Sequence, residues 1–204
     1  MAERLQSNKQ INEYLIKHDK VFSKVINACE FVDIEVSGDY FISVAESIVG
    51  QQLSGKVAEV ICKRLHTLCE FDITPERILE FSDEQLRAIG LSYSKIGYLK
   101  NLAQAVKSKA VDFVNIEKLT NDEIVEMLSS VKGIGKWTAE MFLIFALGRA
   151  DVFSLGDGGL QRAVYNFYNN GNPLKPAQIK EISDKWSPYR SVASLYLWKS
   201  LSIK

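Results

Sequence analysis

Helical punctuation runs along this chain almost without a break, and it limits the fold before any residue is given a role. Segments 40–52, 56–70, 94–108, 121–129, 136–147, 158–169 and 188–201 each carry apolar residues at i, i+3 and i+4 spacing. That is the period of a helix with one buried face. The boundaries carry matching chemistry. Thr74-Pro75 sets a capping hydroxyl before a proline at the first helical position. Ser82 with Gln85, and Thr120 with Glu123, have the spacing of reciprocal capping boxes. Gly90 and Gly148 stand where helices stop, and Ser187-Pro188 is expected to open another. No stretch alternates over a strand length between hairpin turns; FVDIEVSG, residues 31–38, comes nearest and is short. The expectation is an all-α fold.

At 204 residues the chain should bury roughly 70% of its unfolded surface. Its apolar runs are too short to span a bilayer. The start, MAERLQSNKQ, is polar and has no apolar leader core, so an intracellular protein is expected. Three cysteines, Cys29, Cys62 and Cys69, with only His18 and His66 beside them, argue against a zinc site; buried free thiols are expected. Lys plus Arg number 25 and Asp plus Glu number 25. This balance argues against a binder held to nucleic acid by overall charge. Any phosphate contact must then rely on backbone N–H groups and a few well-placed cations.

Two stretches carry chemistry. In LSSVKGIGKWTAEMF, residues 128–142, one helix ends near Ser129, a five-residue hairpin follows, and a second helix starts at Lys136. Gly133 and Gly135 permit positive φ and a backbone bare on one side. The hairpin thus offers the N–H groups of a helix N-terminus, with Thr138 in the first turn and Lys132 and Lys136 flanking it. A phosphodiester suits such an anion site; a tight αα-hairpin with no ligand is the plainer reading. In DVFSLGDGGLQRAV, residues 151–164, Asp157 stands between glycines at the start of a helical pattern. Taken alone it is a helix N-cap.

The two stretches joined, VKGIGKWTAEMFLIFALGRADVFSLGDGGLQRAV (131–164), resemble the hairpin and catalytic loop of the helix-hairpin-helix base-excision DNA glycosylases. The likeness is nearest to the alkylation-repair branch, DNA-3-methyladenine glycosylase II. FISVAESIVGQQLSGKVA (41–58), LRAIGLSYSKIGYLKNLAQAV (86–106) and WSPYRSVASLYLW (186–198) fit the same branch, so the resemblance covers about residues 15–200. It implies two helical lobes with the hairpin at the cleft between them. One lobe would be built from 1–36 with 149–204, the other from 37–148 with the helix-hairpin-helix at 121–147. Asp157, 22 residues after Gly135, stands where the family has its catalytic Asp; many relatives have two Asp residues there, and this chain has Gly156-Asp157.

The resemblance implies the remaining roles as well. Trp137, Trp198 and Met141 would line the pocket of the flipped base, whose positive charge after alkylation an indole face attracts. Trp186 is assigned to the core, and Tyr189 and Arg190 to wall or support. At the GQQLSG tip (50–55), Gln52 or Leu53 would fill the space left in the stack, while Ser54 caps the next helix. Lys132, Gly133, Gly135, Lys136 and Thr138 would hold the backbone. The lyase branch carries a lysine where this chain has Trp137, and Lys136 is one residue early, about 100° around a helix. A monofunctional enzyme without cofactor or catalytic metal follows, with an alkali cation on the carbonyls of Ser129, Val131 and Ile134 as the one metal the family suggests. The expected partner is double-stranded DNA containing alkylated bases, with no membrane. The expected state is a monomer in a bacterial cytoplasm or a eukaryotic nucleus. Two other readings use the same residues: a glycosylase for other damaged bases, and a non-catalytic helix-hairpin-helix module in which Asp157 is only a cap.

Overall fold

The computed structural model describes residues 4–29 and 31–203. Among them are twelve α-helices: α1 (Lys9–His18), α2 (Phe22–Cys29), α3 (Tyr40–Gly50), α4 (Gly55–Leu68), α5 (Pro75–Glu80), α6 (Asp83–Ala88), α7 (Tyr93–Lys107), α8 (Asn121–Ser129), α9 (Lys136–Phe145), α10 (Gly158–Tyr168), α11 (Pro176–Asp184) and α12 (Arg190–Ser200). The caps read from sequence at Thr74, Ser82 and Thr120 are present. Thr74 accepts from Arg77 N–H ahead of Pro75, and both capping boxes close reciprocally. No helix among the described residues is long and apolar enough to cross a membrane.

Three local features differ from expectation. Strands β1 (Arg4–Gln6) and β2 (Asp33–Glu35) pair antiparallel, with Leu5 opposite Ile34. Three residues are too few to show alternation, and the pair is fixed by non-local contacts, among them the Arg4–Asp33 ion pair. Helix α12 opens at Arg190, not at Ser187-Pro188. The Ser187 hydroxyl is spent on Asp151 Oδ2 at 2.8 Å, and Asp151 Oδ1 accepts Arg190 N–H at 3.4 Å, so the capping group comes from a distant loop. Ser54 holds the N-cap position of α4, yet its side chain makes no capping hydrogen bond. The three thiols are free, with Cys29 and Cys69 buried and Cys62 only half-buried. Burial, with Glu46 nearby, pushes the Cys62 thiol up to about 11.

The chain divides into two compact units, Met1–Gly38 with Leu143–Lys204 and Asp39–Phe142; the division falls inside α9. In the first, both ends of the chain share one core. Trp186 is fully buried against Phe22, Phe153 and Tyr168, with ring centroids 5.1–6.2 Å apart. Its indole N–H donates to Asp19 Oδ2 at 3.0 Å, and the Tyr168 hydroxyl donates to the same oxygen. Burial and that carboxylate together push the Tyr168 phenol far up, which keeps it a donor. Residues 143–148 join this unit through a hydrogen bond from Ser37 N–H to Phe145 O and the packing of Gly148 on Val36. The second unit packs α3 on α4 and α7 on α3, α5 and α6, around Val44, Ile48, Leu65, Leu86 and Leu99.

Candidate active site

The hairpin between α8 and α9 is built by short local bonds, Val131 N–H to Leu128 O at 3.1 Å and Ile134 N–H to Val131 O at 3.0 Å. Its two glycines are not equivalent. Gly133 has φ +105°, and a Cβ there would lie 2.1 Å from Cγ of Tyr98, so the missing side chain makes room for a ring of α7. Gly135 has no positive φ, and nothing lies within 4 Å of its ideal Cβ. The bare face expected of both glycines is therefore found only at Gly135. Lys132, Gly135 and Lys136 are exposed, and Lys136 Nζ lies 3.8 Å from Glu140. By helix geometry the first N–H groups of α9 point out of this end of the helix. The three carbonyls suggested for an alkali cation are hard oxygen donors suited to such an ion, although Val131 O already accepts from Ile134.

Thr138 does not reach solvent: it is 3% exposed, and its hydroxyl lies 3.5 Å from Nε2 of Gln51. The same Nε2 donates to Gly133 O at 2.9 Å. Gln51 thus ties the 50–53 tip to the hairpin, a role that its neighbours in sequence do not reveal. The tip is held from behind by Lys95, whose Nζ donates to Val49 O at 2.7 Å. Beyond these anchors Gln52 is exposed with φ +58°, and Leu53 is 37% exposed. The tip thus presents a left-handed glutamine and a partly exposed leucine side by side. Trp137, the second residue of α9, is 43% exposed, whereas Met141, one turn further along, is buried at 8%.

Asp157, in the other unit, is 8% exposed and is the N-cap of α10. Its Oδ1 accepts Leu160 N–H at 2.7 Å and the indole N–H of Trp198 at 3.0 Å. Trp198, expected as a pocket wall, is a donor that holds the carboxylate, and its ring lies 5.7 Å from Phe145 at 30°. The loop carrying Asp157 is fastened to α12 by two neighbouring side chains. Asp151 takes Arg190 Nε at 2.6 Å and Arg190 Nη2 at 3.0 Å. Ser191, fully buried, donates to Arg149 O and accepts Val152 N–H. Burial alone would raise the Asp151 carboxyl, but Arg190 and Ser187 outweigh it and hold it below the usual range. Arg190 is thus a support residue. A buried carboxylate held by two N–H donors at a helix N-terminus is suited to face a developing positive charge.

The expected site residues therefore fall into two groups. Asp157 and Trp198 meet in one unit; the hairpin, the tip, Trp137 and Met141 belong to the other. Residues 45–188 match the model of the HhH-GPD superfamily of base excision DNA repair proteins. DNA-3-methyladenine glycosylase 1 of Schizosaccharomyces pombe is 34% identical over 158 residues, which is 76% of this chain and 69% of that protein. A crystal structure of a DNA-3-methyladenine glycosidase from Bacillus halodurans superposes with a TM-score of 0.86 at 36% identity, covering 97% of this chain and 91% of the other. A Schizosaccharomyces pombe 3-methyladenine DNA glycosylase in complex with abasic DNA superposes with a TM-score of 0.85 at 28% identity, covering 94% and 96%.

Proposed function

The chain belongs to the HhH-GPD superfamily of base excision DNA repair proteins, and from that premise we propose that it is a DNA-3-methyladenine glycosylase acting by hydrolysis on alkylated purines in duplex DNA. The observation that carries this reading is Asp157, buried at a helix N-terminus and aimed by Trp198. The fission-yeast and bacterial relatives described above are all named as 3-methyladenine enzymes, and one structure is bound to abasic DNA, the product of such a reaction.

A base inside the duplex is out of reach, so the nucleotide has to be rotated out of the stack. In this mechanism the amides at the start of α9, with Lys132 and Lys136, hold a phosphodiester at the open face of Gly135. Gln52 and Leu53, presented at the anchored tip, occupy the vacated space. Trp137 faces the cationic base, an attraction of about 0.5–2 kcal/mol. An alkylated purine is already a good leaving group, so no general acid is needed. As the N-glycosidic bond breaks, positive charge builds on the sugar. Asp157 stabilises that charge and takes the proton of the attacking water. Trp137 stands where a lyase would have its lysine, so the product is an intact strand with an abasic site.

The test is release of methylated purines from alkylated duplex DNA by the wild type and by Asp157→Asn. The amide still caps α10, because Asn caps about as well as Asp. The variant is expected to fold and to bind abasic DNA, but to excise at least about 100-fold more slowly. Strands should break only after hot alkali. An Asn variant that excises at the wild-type rate would make Asp157 a cap and nothing more.

A further inference from the structure

Asp157, Gly158, Gly159 and Leu160 open α10, and the two glycines stand in different surroundings. Around Gly158 nothing lies within 4 Å of an ideal Cβ. At Gly159 that Cβ would stand 3.0 Å from Asp157 Oδ1, 3.2 Å from Trp198 Cδ1 and 3.3 Å from Trp198 Nε1. Backbone conformation does not require a glycine here, because Gly159 is a helical residue without positive φ. Glycine in a helix is also less stable than alanine. What the position requires is space, at the point where the indole N–H meets the carboxylate.

We propose that Gly159 is a positioning residue for Asp157, kept without a side chain so that the N–H groups of Trp198 and Leu160 reach one carboxylate oxygen together. The proposal rests on the reading of Asp157 as the carboxylate that faces the sugar. Neither neighbour yields readily to an added methyl group. Asp157 Oδ1 is pinned at 2.7 Å by Leu160 N–H, inside the first turn of the helix. Trp198 is backed by Phe145 and carried on α12, whose residues 191–197 are all buried. A Cβ at 159 therefore lengthens the 3.0 Å bond between them and turns the carboxylate about its Cβ–Cγ bond. Electrostatic stabilisation of a developing charge depends on such pre-set orientation, and small misplacements cost rate rather than binding.

The experiment measures excision of 7-methylguanine from duplex DNA, resolved into kcat and KM, for Gly159→Ala, Gly159→Val, Trp198→Phe, the Gly159→Val/Trp198→Phe double variant and Asp157→Asn. Gly159→Ala is expected to lower kcat several-fold and Gly159→Val about tenfold or more, each with KM unchanged. The double variant should be slower than Trp198→Phe by clearly less than the Gly159→Val factor measured alone, because both changes break one bond. Should Gly159→Val lower the melting temperature, Gly159→Ala decides, since alanine favours the helix. Wild-type kcat in a folded Gly159 variant, or effects that multiply in the double variant, would overturn the proposal. If Asp157→Asn is slow while the Gly159 variants are fast, only the role of Gly159 falls. If Asp157→Asn is itself fast, the reading of Asp157 falls with it.

Discussion

Gly133 and Gly135, two positions apart in one hairpin, are glycines for different reasons, and the same substitution separates them. At Gly133 a methyl group would enter the ring of Tyr98, on a backbone at φ +105° that alanine tolerates poorly. Strain and overpacking each cost about 1–3 kcal/mol, so Gly133→Ala is expected to destabilise by about 2–6 kcal/mol in denaturant unfolding. At Gly135 the backbone is ordinary and the space is open. Gly135→Ala should leave unfolding within about 0.5 kcal/mol of wild type and weaken DNA binding, as the methyl group intrudes where a phosphate approaches the amides. Equal stability losses at the two positions, measured side by side, would contradict this division. The sequence shows both glycines, but not which contact each serves, because Tyr98 lies 35 residues away from Gly133 in the chain. Gln51 is hidden in the same way: its partners are Gly133 O and Thr138, 82 and 87 residues on.

Among the elements, α12 governs the loop that delivers Asp157. Arg190 and Ser191, its first two residues, hold Asp151, Arg149 and Val152 of that loop. Because the Asp151 carboxyl is held below its ordinary value in the folded protein, protonating it weakens the fold. Its contribution is complete above the usual carboxylate range and is lost as the pH falls through the depressed folded value. Asp151→Asn should therefore cost about 1–2 kcal/mol near neutral pH, with the gap to wild type closing in acid. A gap of the same size at every pH would show that the ion pair contributes nothing. Helix starts such as Thr74-Pro75 and Thr120 with Glu123 were legible because cap and helix are neighbours in sequence. The start of α12 was not, since its capping carboxylate comes from 39 residues upstream. The β1–β2 ribbon was hidden for a similar reason, its Arg4–Asp33 pair spanning 29 residues.

Over the whole molecule, 25 basic and 25 acidic residues leave no net charge to draw DNA in. Binding should then depend on a few local contacts. Each neutralised phosphate adds about −0.9 to the slope of log K against log salt, so about three or four contacts give a slope near −3. Lys132→Ala with Lys136→Ala should make that slope shallower by about 2. An unchanged slope would remove the hairpin as the grip. The path of the chain has a further consequence, which concerns its synthesis. Residues 39–142 form one unit as a continuous stretch, whereas the other unit draws on both flanking segments. Its N-terminal helices wait for partners made far later; Cys29, for example, meets Tyr196 O across 167 residues. Asp157 in turn emerges from the ribosome 41 residues before Trp198. At about 5–20 residues per second that is a delay of roughly 2–8 seconds. A nascent chain in that interval carries the hairpin and the carboxylate without the indole that donates to it, so under the proposed mechanism base release is expected to reach its full rate only once translation has passed Trp198.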